Sequence, residues 1–236
     1  MIRNKKLIIA CDVNTIHEFN FLVAQSYKSP ILGGYKLGFS LALRYGLPKL
    51  VQLIQGYEEN IPVIYDHQKA GSDIPQVSSQ FAQICSEANI HSIIVFPHAG
   101  PKTLIAMVDA IVNFEMEPII GLCMSHEAYL SSEGGYICDE APLNMLELAL
   151  QKGVSKFVLP STKPEIAQKY AEIIYDKGGI NTIMSPGIGS QGGDFTEIFN
   201  AVAPHHFCGI IGSVIYNSKN IVDTILEYEE IILGGN

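Results

Sequence analysis

Three charged residues that lie close together are candidates for chemistry: Asp66, Lys69 and Asp73, in the stretch YDHQKAGSDIP over residues 65–75. They follow the apolar run IPVIY over residues 61–65, which predicts a buried strand. Charges at the end of a buried strand are costly unless they pair with one another or act on a bound molecule. We therefore take these three residues as candidate catalytic residues.

A lysine between two carboxylates is suited to carbanion chemistry. Nearby negative charges raise the pKa of its ammonium group, so it keeps its proton. A fixed positive charge stabilises a carbanion that has no resonance stabilisation of its own. Asp66 and Lys69 lie three positions apart, and on a regular strand such residues point to opposite faces. The two converge only if a bulge or turn follows Asp66.

The elements that position these residues are short apolar runs separated by amphipathic stretches. The runs are apolar almost throughout, as expected for strands that are covered on both faces. We predict strands at residues 6–13, 35–39, 61–66, 92–97, 118–124, 156–160, 181–187 and 207–212. Each is followed by a helix or a segment of helical length. Leu146, Leu150 and Val154 form a stripe at four-residue spacing in one of the predicted helices.

Eight alternating strands and helices in 236 residues predict an α/β fold, a (β/α)₈ TIM barrel. The alternative is a doubly wound open sheet, which usually has fewer strands and an early glycine-rich turn. The turn after the first predicted strand reads CDVNTIHEF and lacks that motif. No linker divides the chain, and we predict one domain over residues 1–236.

Polar residues collect at the predicted carboxyl-terminal strand ends, where a barrel of this kind has its active site. Most of them also have ordinary structural explanations. Ser161 and Thr162 precede KPE, a pattern that predicts a helix N-cap. His98 and His126 are single histidines, for which a structural hydrogen bond is the simpler interpretation, and we do not expect His205 and its neighbour to bind metal.

Two segments predict a phosphate site. SPGIGSQGGD over residues 185–194 follows the seventh strand, and GSVIYN over residues 212–217 follows the eighth. The loops after these two strands often bind phosphate in such barrels, through backbone N–H groups and a helix N-terminus. Glycines let that backbone approach the anion closely.

The amino-acid composition of the chain limits the classes of partner that it can bind. The formal net charge is −9, which argues against nucleic acid because phosphates demand a basic face. No run approaches the roughly 20 apolar residues that span a bilayer. Five scattered cysteines without a CxxC pair indicate buried thiols in a reducing compartment. We predict a cytoplasmic protein that binds neither nucleic acid nor membrane.

Taken together, these motifs resemble the orotidine 5'-monophosphate decarboxylase family in its compact microbial form, over essentially the whole chain. SPGIGSQGGD is similar to the family's phosphate-gripping loop and is the most specific match. MSH at residues 124–126, PSTKPE at 160–165, GSVIY at 212–216 and the DIP that begins at Asp73 add to the resemblance.

The resemblance implies an activity and a set of site residues. Members convert orotidine 5'-monophosphate to UMP, the last step of pyrimidine synthesis, without metal or organic cofactor. On this chain it assigns catalysis to Lys69, Asp66, Asp73 and Lys36, and substrate binding to Asp12, Ser125, Pro186, Gln191, Gly212 and Ser213. Lys69 would protonate C6, Asp66 would lie near the departing carboxylate, and Lys36 would hold the network. Asp73 would enter the site of the partner subunit in a homodimer.

The same resemblance gives the binding residues their roles. Asp12 would bind ribose, Ser125 the pyrimidine, and Gln191 both base and phosphate, while Pro186 would line the pocket. The backbone N–H groups of Gly212 and its neighbour would face the phosphate.

Three features depart from the family pattern. Its charged motif is D-x-K-x-x-D, whereas this chain has one extra residue in each gap between Asp66 and Asp73. Val77 stands where the family usually has threonine, and Ser213 stands where it has a phosphate-binding arginine. Two alternatives therefore remain open. One is a Mg²⁺-dependent sugar-phosphate decarboxylase or lyase on the same barrel, and the other is a non-catalytic nucleotide-binding relative.

Overall fold

The computed structural model describes residues 3–67 and 73–234 of the chain, and eight parallel strands in that part form a closed barrel in sequence order. The strands are β1 (Lys5–Ala10), β2 (Leu32–Gly38), β3 (Val63–Asp66), β4 (Ser92–Val95), β5 (Glu117–Gly121), β6 (Lys156–Val158), β7 (Thr182–Pro186) and β8 (His206–Ile211). β8 pairs with β1 and closes the sheet, which excludes the doubly wound alternative. The predicted (β/α)₈ barrel is confirmed.

Helices surround the barrel and connect its strands. They are α1 (Ile16–Ser26), α2 (Phe39–Tyr45), α3 (Leu47–Gln55), α4 (Ser78–Glu87), α5 (Pro101–Asn113), α6 (Ala141–Gln151), α7 (Pro164–Gly178), α8 (Phe195–Ala201), α9 (Ser213–Tyr216) and α10 (Ile221–Gly234). Short 3₁₀ turns lie at Pro75–Val77 and Ser131–Glu133. None of the helices in the described ranges is long and apolar enough to cross a membrane.

The apolar strands bury both of their faces, which explains why their sequences do not alternate with polar residues. On β1, Ile8 and Ala10 belong to a small core inside the barrel, whereas Leu7 and Ile9 belong to the larger core between sheet and helices. The inner core also contains Ile64, Ile94, Phe96, Ile119, Val158, Met184 and Ile210. This packed interior fills the barrel and leaves space at the carboxyl-terminal strand ends.

The seam between β1 and β8 is held from the amino-terminal side by Arg3. Its Nε donates to the carbonyl of His205 at 2.8 Å, and its Nη2 donates to the carbonyl of Phe199 at 2.5 Å. The guanidinium also lies 3.7 Å from the centre of the Phe199 ring. Arg3, one of the two arginines of the chain, therefore has a structural role at the amino-terminal end of the barrel, opposite the predicted site.

Candidate active site

Side chains from the first three strands meet at the carboxyl-terminal end of the barrel. Asp12 follows β1, Lys36 lies within β2, and Asp66 is the last residue of β3. Parallel pairing sets Ala10 beside Lys36 and Gly38 beside Asp66. The Lys36 Nζ atom lies 3.0 Å from Asp66 Oδ2 and 3.6 Å from Asp12 Oδ2. One lysine therefore links two carboxylates.

The Lys36 side chain is nearly buried, since the residue is only 7% exposed. Burial by itself lowers the pKa of its ammonium group, but the charges of Asp66 and Asp12 outweigh burial and bring the pKa above the ordinary lysine value. A lysine whose pKa is raised in the folded protein stabilises the fold. This stabilisation is complete at pH values below the ordinary lysine pKa, and it is lost only as the pH rises through the raised pKa. The ion pairs are therefore intact throughout the neutral range.

The other carboxylate oxygen of Asp66 has a different environment. Asp66 Oδ1 is buried and accepts no hydrogen bond from any residue in the two described segments. Buried polar atoms are nearly always hydrogen-bonded. This oxygen can therefore accept a hydrogen bond from a donor on a bound molecule or on the part of the chain that follows His67.

A cavity of about 280 Å³ opens beside these charges. Eight of the ten predicted site residues line it, namely Asp12, Lys36, Asp66, Ser125, Pro186, Gln191, Gly212 and Ser213. Apolar side chains from the inner core, including Ile94, Phe96, Val158 and Ile210, complete the lining. The cavity thus combines a charged side with an apolar floor, as expected of a site that binds a flat polar ring.

The glycine-rich loop after β7 forms the side of the cavity away from the charged strand ends. Gly187, Gly189 and Gly192 have φ angles of 95°, 77° and 91°, a region that favours glycine. The loop folds back on itself, because the Gly189 N–H donates to the Gly193 carbonyl at 2.8 Å and the Gly193 N–H donates to the Gly187 carbonyl at 3.1 Å. α8 begins directly after it, capped by Asp194.

Ser161 fixes the start of this loop, and it does not cap a helix. Its Oγ and its N–H both donate to the carbonyl of Pro186, at 2.7 and 3.2 Å. The N-cap of α7 is Lys163, which makes no capping hydrogen bond through its side chain. The prediction that Ser161 and Thr162 cap that helix was wrong, because the chain turns into α7 one residue later than the sequence pattern suggests.

The residues that follow β8 complete the cavity. Gly212 and Ser213 lie at the start of α9, and the last residue of that helix, Tyr216, also lines the cavity. Burial and then the charge of Asp12 raise the pKa of Tyr216. Sequence reasoning did not single out Tyr216, although it closes the GSVIY motif. Among the described residues that line the cavity, Lys36 is the only lysine or arginine.

Lys69 and Asp73 are the two predicted catalytic residues that the described lining of the cavity does not include. Lys69 lies outside the described residues, as does the bulge or turn expected after Asp66. Asp73 is described but does not line the cavity of its own chain. Its carboxylate is exposed and accepts a hydrogen bond from the Ile74 N–H at 2.7 Å, while its carbonyl accepts one from Thr103 Oγ1 at 2.8 Å.

His98 makes the structural hydrogen bond predicted for it, and His205 is also hydrogen-bonded within the fold. His98 Nε2 hydrogen-bonds to the Tyr129 hydroxyl at 2.9 Å, and burial lowers the pKa of its ring. His205 is fully buried, where its Nδ1 accepts from the Asn181 N–H and its Nε2 contacts the carbonyl of Ala171. Within residues 3–67 and 73–234, no three histidine, cysteine, aspartate or glutamate side chains group so that they could hold a metal ion.

The chain matches the family described as Orotidine 5'-phosphate decarboxylase / HUMPS family over residues 5–228. It belongs to this family. The resemblance inferred from the motifs is thereby confirmed.

Individual family members are similar over nearly their whole length. The orotidine 5'-phosphate decarboxylase of Methanosarcina mazei is 28% identical, with 98% of this chain and 97% of the relative covered. That of Methanococcoides burtonii is 30% identical, with 93% and 94% covered. A crystal structure of the Methanocaldococcus jannaschii decarboxylase complexed with inhibitor BMP is 25% identical, with a TM-score of 0.80 and 98% and 99% covered. The Pyrococcus horikoshii decarboxylase, 22% identical with a TM-score of 0.78 and 97% and 100% covered, shares the fold.

The ion pairs of Lys36 generate a prediction about stability. We expect Lys36→Met to lower the free energy of unfolding by about 3 kcal/mol at neutral pH, because removing one partner leaves buried carboxylate charge without compensation. Urea titrations at neutral pH measure this loss.

Lys156→Met is the matched control. Lys156 pairs with a single carboxylate, that of Glu117. The side chains of this pair are more exposed than those of Lys36 and Asp66. Such pairs contribute about 1 kcal/mol or less. Equal losses in the two variants would contradict the assignment.

Proposed function

We propose that this protein decarboxylates orotidine 5'-monophosphate to UMP and is therefore a carbon–carbon lyase. The observation that carries the proposal is the cavity that joins a Lys36 ammonium held by two carboxylates to a glycine-rich loop. Relatives that match the chain over nearly its whole length are named orotidine 5'-phosphate decarboxylases, which supports the same activity. Location in the cytoplasm stays a prediction.

In this proposal, Lys69 supplies the proton. The bond between C6 and the carboxylate breaks, CO₂ leaves, and the electron pair stays on C6. The Lys69 ammonium stabilises the resulting carbanion and then transfers a proton to it, and solvent reprotonates the lysine. The buried Asp66 Oδ1, which no described residue satisfies, is an acceptor suited to that ammonium. Neither a metal nor an organic cofactor takes part.

The substrate would lie along the cavity, with its base and ribose at the charged side. Asp12 would bind the ribose hydroxyls, Lys36 would hold the charged network, and Ser125 would bind the pyrimidine. The phosphate would lie at the loop after β7, near Gln191 and the N–H groups of Gly212 and its neighbour. Binding energy from the phosphate, which is remote from C6, is then available to orient and desolvate the reacting end.

The Mg²⁺-dependent alternative fits the strand ends less well. A divalent cation would need several carboxylate oxygens free for coordination. Here the Lys36 ammonium already lies between Asp12 and Asp66, and β2 ends in Gly38 without a carboxylate.

One assay tests the proposed function: the fall in absorbance as orotidine 5'-monophosphate becomes UMP, measured with and without EDTA. We expect turnover that EDTA does not affect. Turnover of sugar phosphates that EDTA abolishes would support the Mg²⁺-dependent alternative. Binding of UMP without turnover would support a non-catalytic relative, and either result would refute the proposal.

Lys69→Ala tests the proton donor. We expect loss of turnover with an unchanged melting temperature, since Lys69 acts on the substrate in the proposal and not on the core. Lys28→Ala, on an exposed lysine, is the control and should keep full activity. Near-normal kcat in Lys69→Ala would eliminate this lysine as the donor.

Exposed apolar side chains support a homodimer in which Asp73 reaches the site of the partner subunit. Phe39, Leu43 and Ile74 are 60%, 77% and 58% exposed. Phe39 and Leu43 line a second cavity, which shares Asp12, Lys36 and Asp66 with the lining of the first. Large apolar side chains exposed beside a site mark an interaction surface. Ile74 directly follows Asp73, so covering this surface with a second copy would bring Asp73 near a site.

A mixing experiment tests the shared site. If Asp73 completes the partner's site across an isologous interface, mixing inactive Lys69→Ala with inactive Asp73→Ala yields heterodimers that carry one intact site. We expect partial recovery of activity, up to about half per heterodimer by that count. Heterodimers that form, as shown by differential tagging, but stay inactive would place Asp73 in the site of its own chain.

Of the described residues that line the cavity, none near the glycine loop is a lysine or arginine, which generates a prediction about Ser213. Charge-assisted hydrogen bonds are about twice as strong as neutral ones. We therefore expect Ser213→Arg to lower KM by one to two powers of ten, or roughly 1.4–2.8 kcal/mol. Ser213→Lys, which offers charge without the bidentate fork, should lower KM less. An unchanged or higher KM in a folded Ser213→Arg variant would show that the phosphate is held elsewhere.

A further inference from the structure

Gly38 ends β2 beside the Lys36 network, and its backbone does not require glycine. Its φ and ψ angles are −91° and 172°, an extended conformation that any residue adopts. It precedes α2 as the N-cap residue, a position that gains from a side-chain hydrogen bond that glycine cannot make. Local conformation therefore gives no reason for glycine here.

The space around Gly38 does give a reason. A Cβ atom added to Gly38 would lie 2.5 Å from Asp12 Oδ1 and 3.8 Å from Asp12 Cγ, and apart from its two neighbours in the chain no other described residue comes within 4 Å of it. Real Cβ atoms do not approach an oxygen that closely, so the carboxylate occupies the volume that a side chain would need. The other oxygen of the same carboxylate, Oδ2, lies 3.6 Å from Lys36 Nζ.

We propose that Gly38 is a positioning residue for Asp12: the missing side chain lets the carboxylate lie against the end of β2, with one oxygen over Gly38 and the other toward Lys36. The inference rests on the proposed function, in which Asp12 binds the ribose. Any side chain at position 38 turns the carboxylate away from both the lysine and the ribose hydroxyls.

Displacing the Asp12 carboxylate should change the stability of the fold little and should lower the activity of the site. The Asp12 side chain is about half exposed, so its carboxylate can rotate into solvent without disturbing the core, and Asp66, the nearer partner at 3.0 Å, remains paired with Lys36. Alanine also restricts the unfolded chain more than glycine does, which favours the folded state where the backbone angles suit it. Gly38→Ala should therefore separate stability from activity, which a glycine needed for folding would not do.

The test compares Gly38→Ala with wild type and with Gly234→Ala, a control glycine near the end of α10 with open space around it. We expect Gly38→Ala to keep or slightly raise the melting temperature and to lose kcat/KM by roughly ten- to a hundredfold, the scale of one hydrogen bond to a charged group. Gly234→Ala should change neither. A Gly38→Ala variant with wild-type kcat/KM would overturn the inference.

A double-mutant cycle tests whether Gly38 acts through Asp12. Adding Gly38→Ala to Asp12→Ala should cause no further loss, because the carboxylate that the new methyl group displaces is already absent. An equal loss of kcat/KM in both backgrounds would overturn the inference, since Gly38 would then act on something other than Asp12.

A crystal structure of Gly38→Ala separates this inference from the proposed function, because it needs no turnover. We expect the Asp12 carboxylate to have rotated away from Lys36 Nζ. A carboxylate that keeps its wild-type position would refute the positioning role even if the enzyme is active. Absence of orotidylate turnover in wild type would instead refute the proposed function and leave this structural outcome still decisive for Gly38.

Discussion

The buried ammonium group of Lys36 requires negative charge around it, and the strand ends on either side of β2 provide that charge. Asp12 follows β1 and Asp66 ends β3, so the order of strands in the barrel places one carboxylate on each side of the lysine. Taking an ammonium out of water is costly unless such partners compensate it. Gly38 leaves the space that one of these carboxylates occupies, and the spare oxygen of Asp66 remains for a further donor.

The cavity beside this network is electrostatically uneven. Its charged residues lie at the ends of the first three strands, whereas the loop after β7 and the start of α9 contribute glycines, Gln191 and hydroxyl groups. Anion binding at that side would therefore depend on backbone N–H groups, whose geometry Ser161 helps to fix through the Pro186 carbonyl. An arginine at position 213 would add positive charge to this side of the cavity.

Much of the fold was predictable because strands covered on both faces have continuous apolar runs. The predicted strand boundaries were less accurate. β2 begins at Leu32 and not at residue 35 as predicted, because Gly33 and Gly34 weaken the apolar signal at the start of the strand. Eight predicted site residues line one cavity because the barrel brings strand ends together. The roles of Ser161 and Gly38 were not predictable, because each depends on a contact with a residue that is distant in the sequence.

In the proposed function, the Lys69 ammonium acts at C6 of a nucleotide held between the Lys36 network and the glycine loop. A crystal structure with UMP bound tests this most directly. We expect the phosphate at the loop after β7, the ribose beside Asp12, and Lys69 Nζ within hydrogen-bonding distance of both Asp66 Oδ1 and the C6 position. UMP bound in the opposite orientation, or a Lys69 ammonium remote from C6, would contradict it.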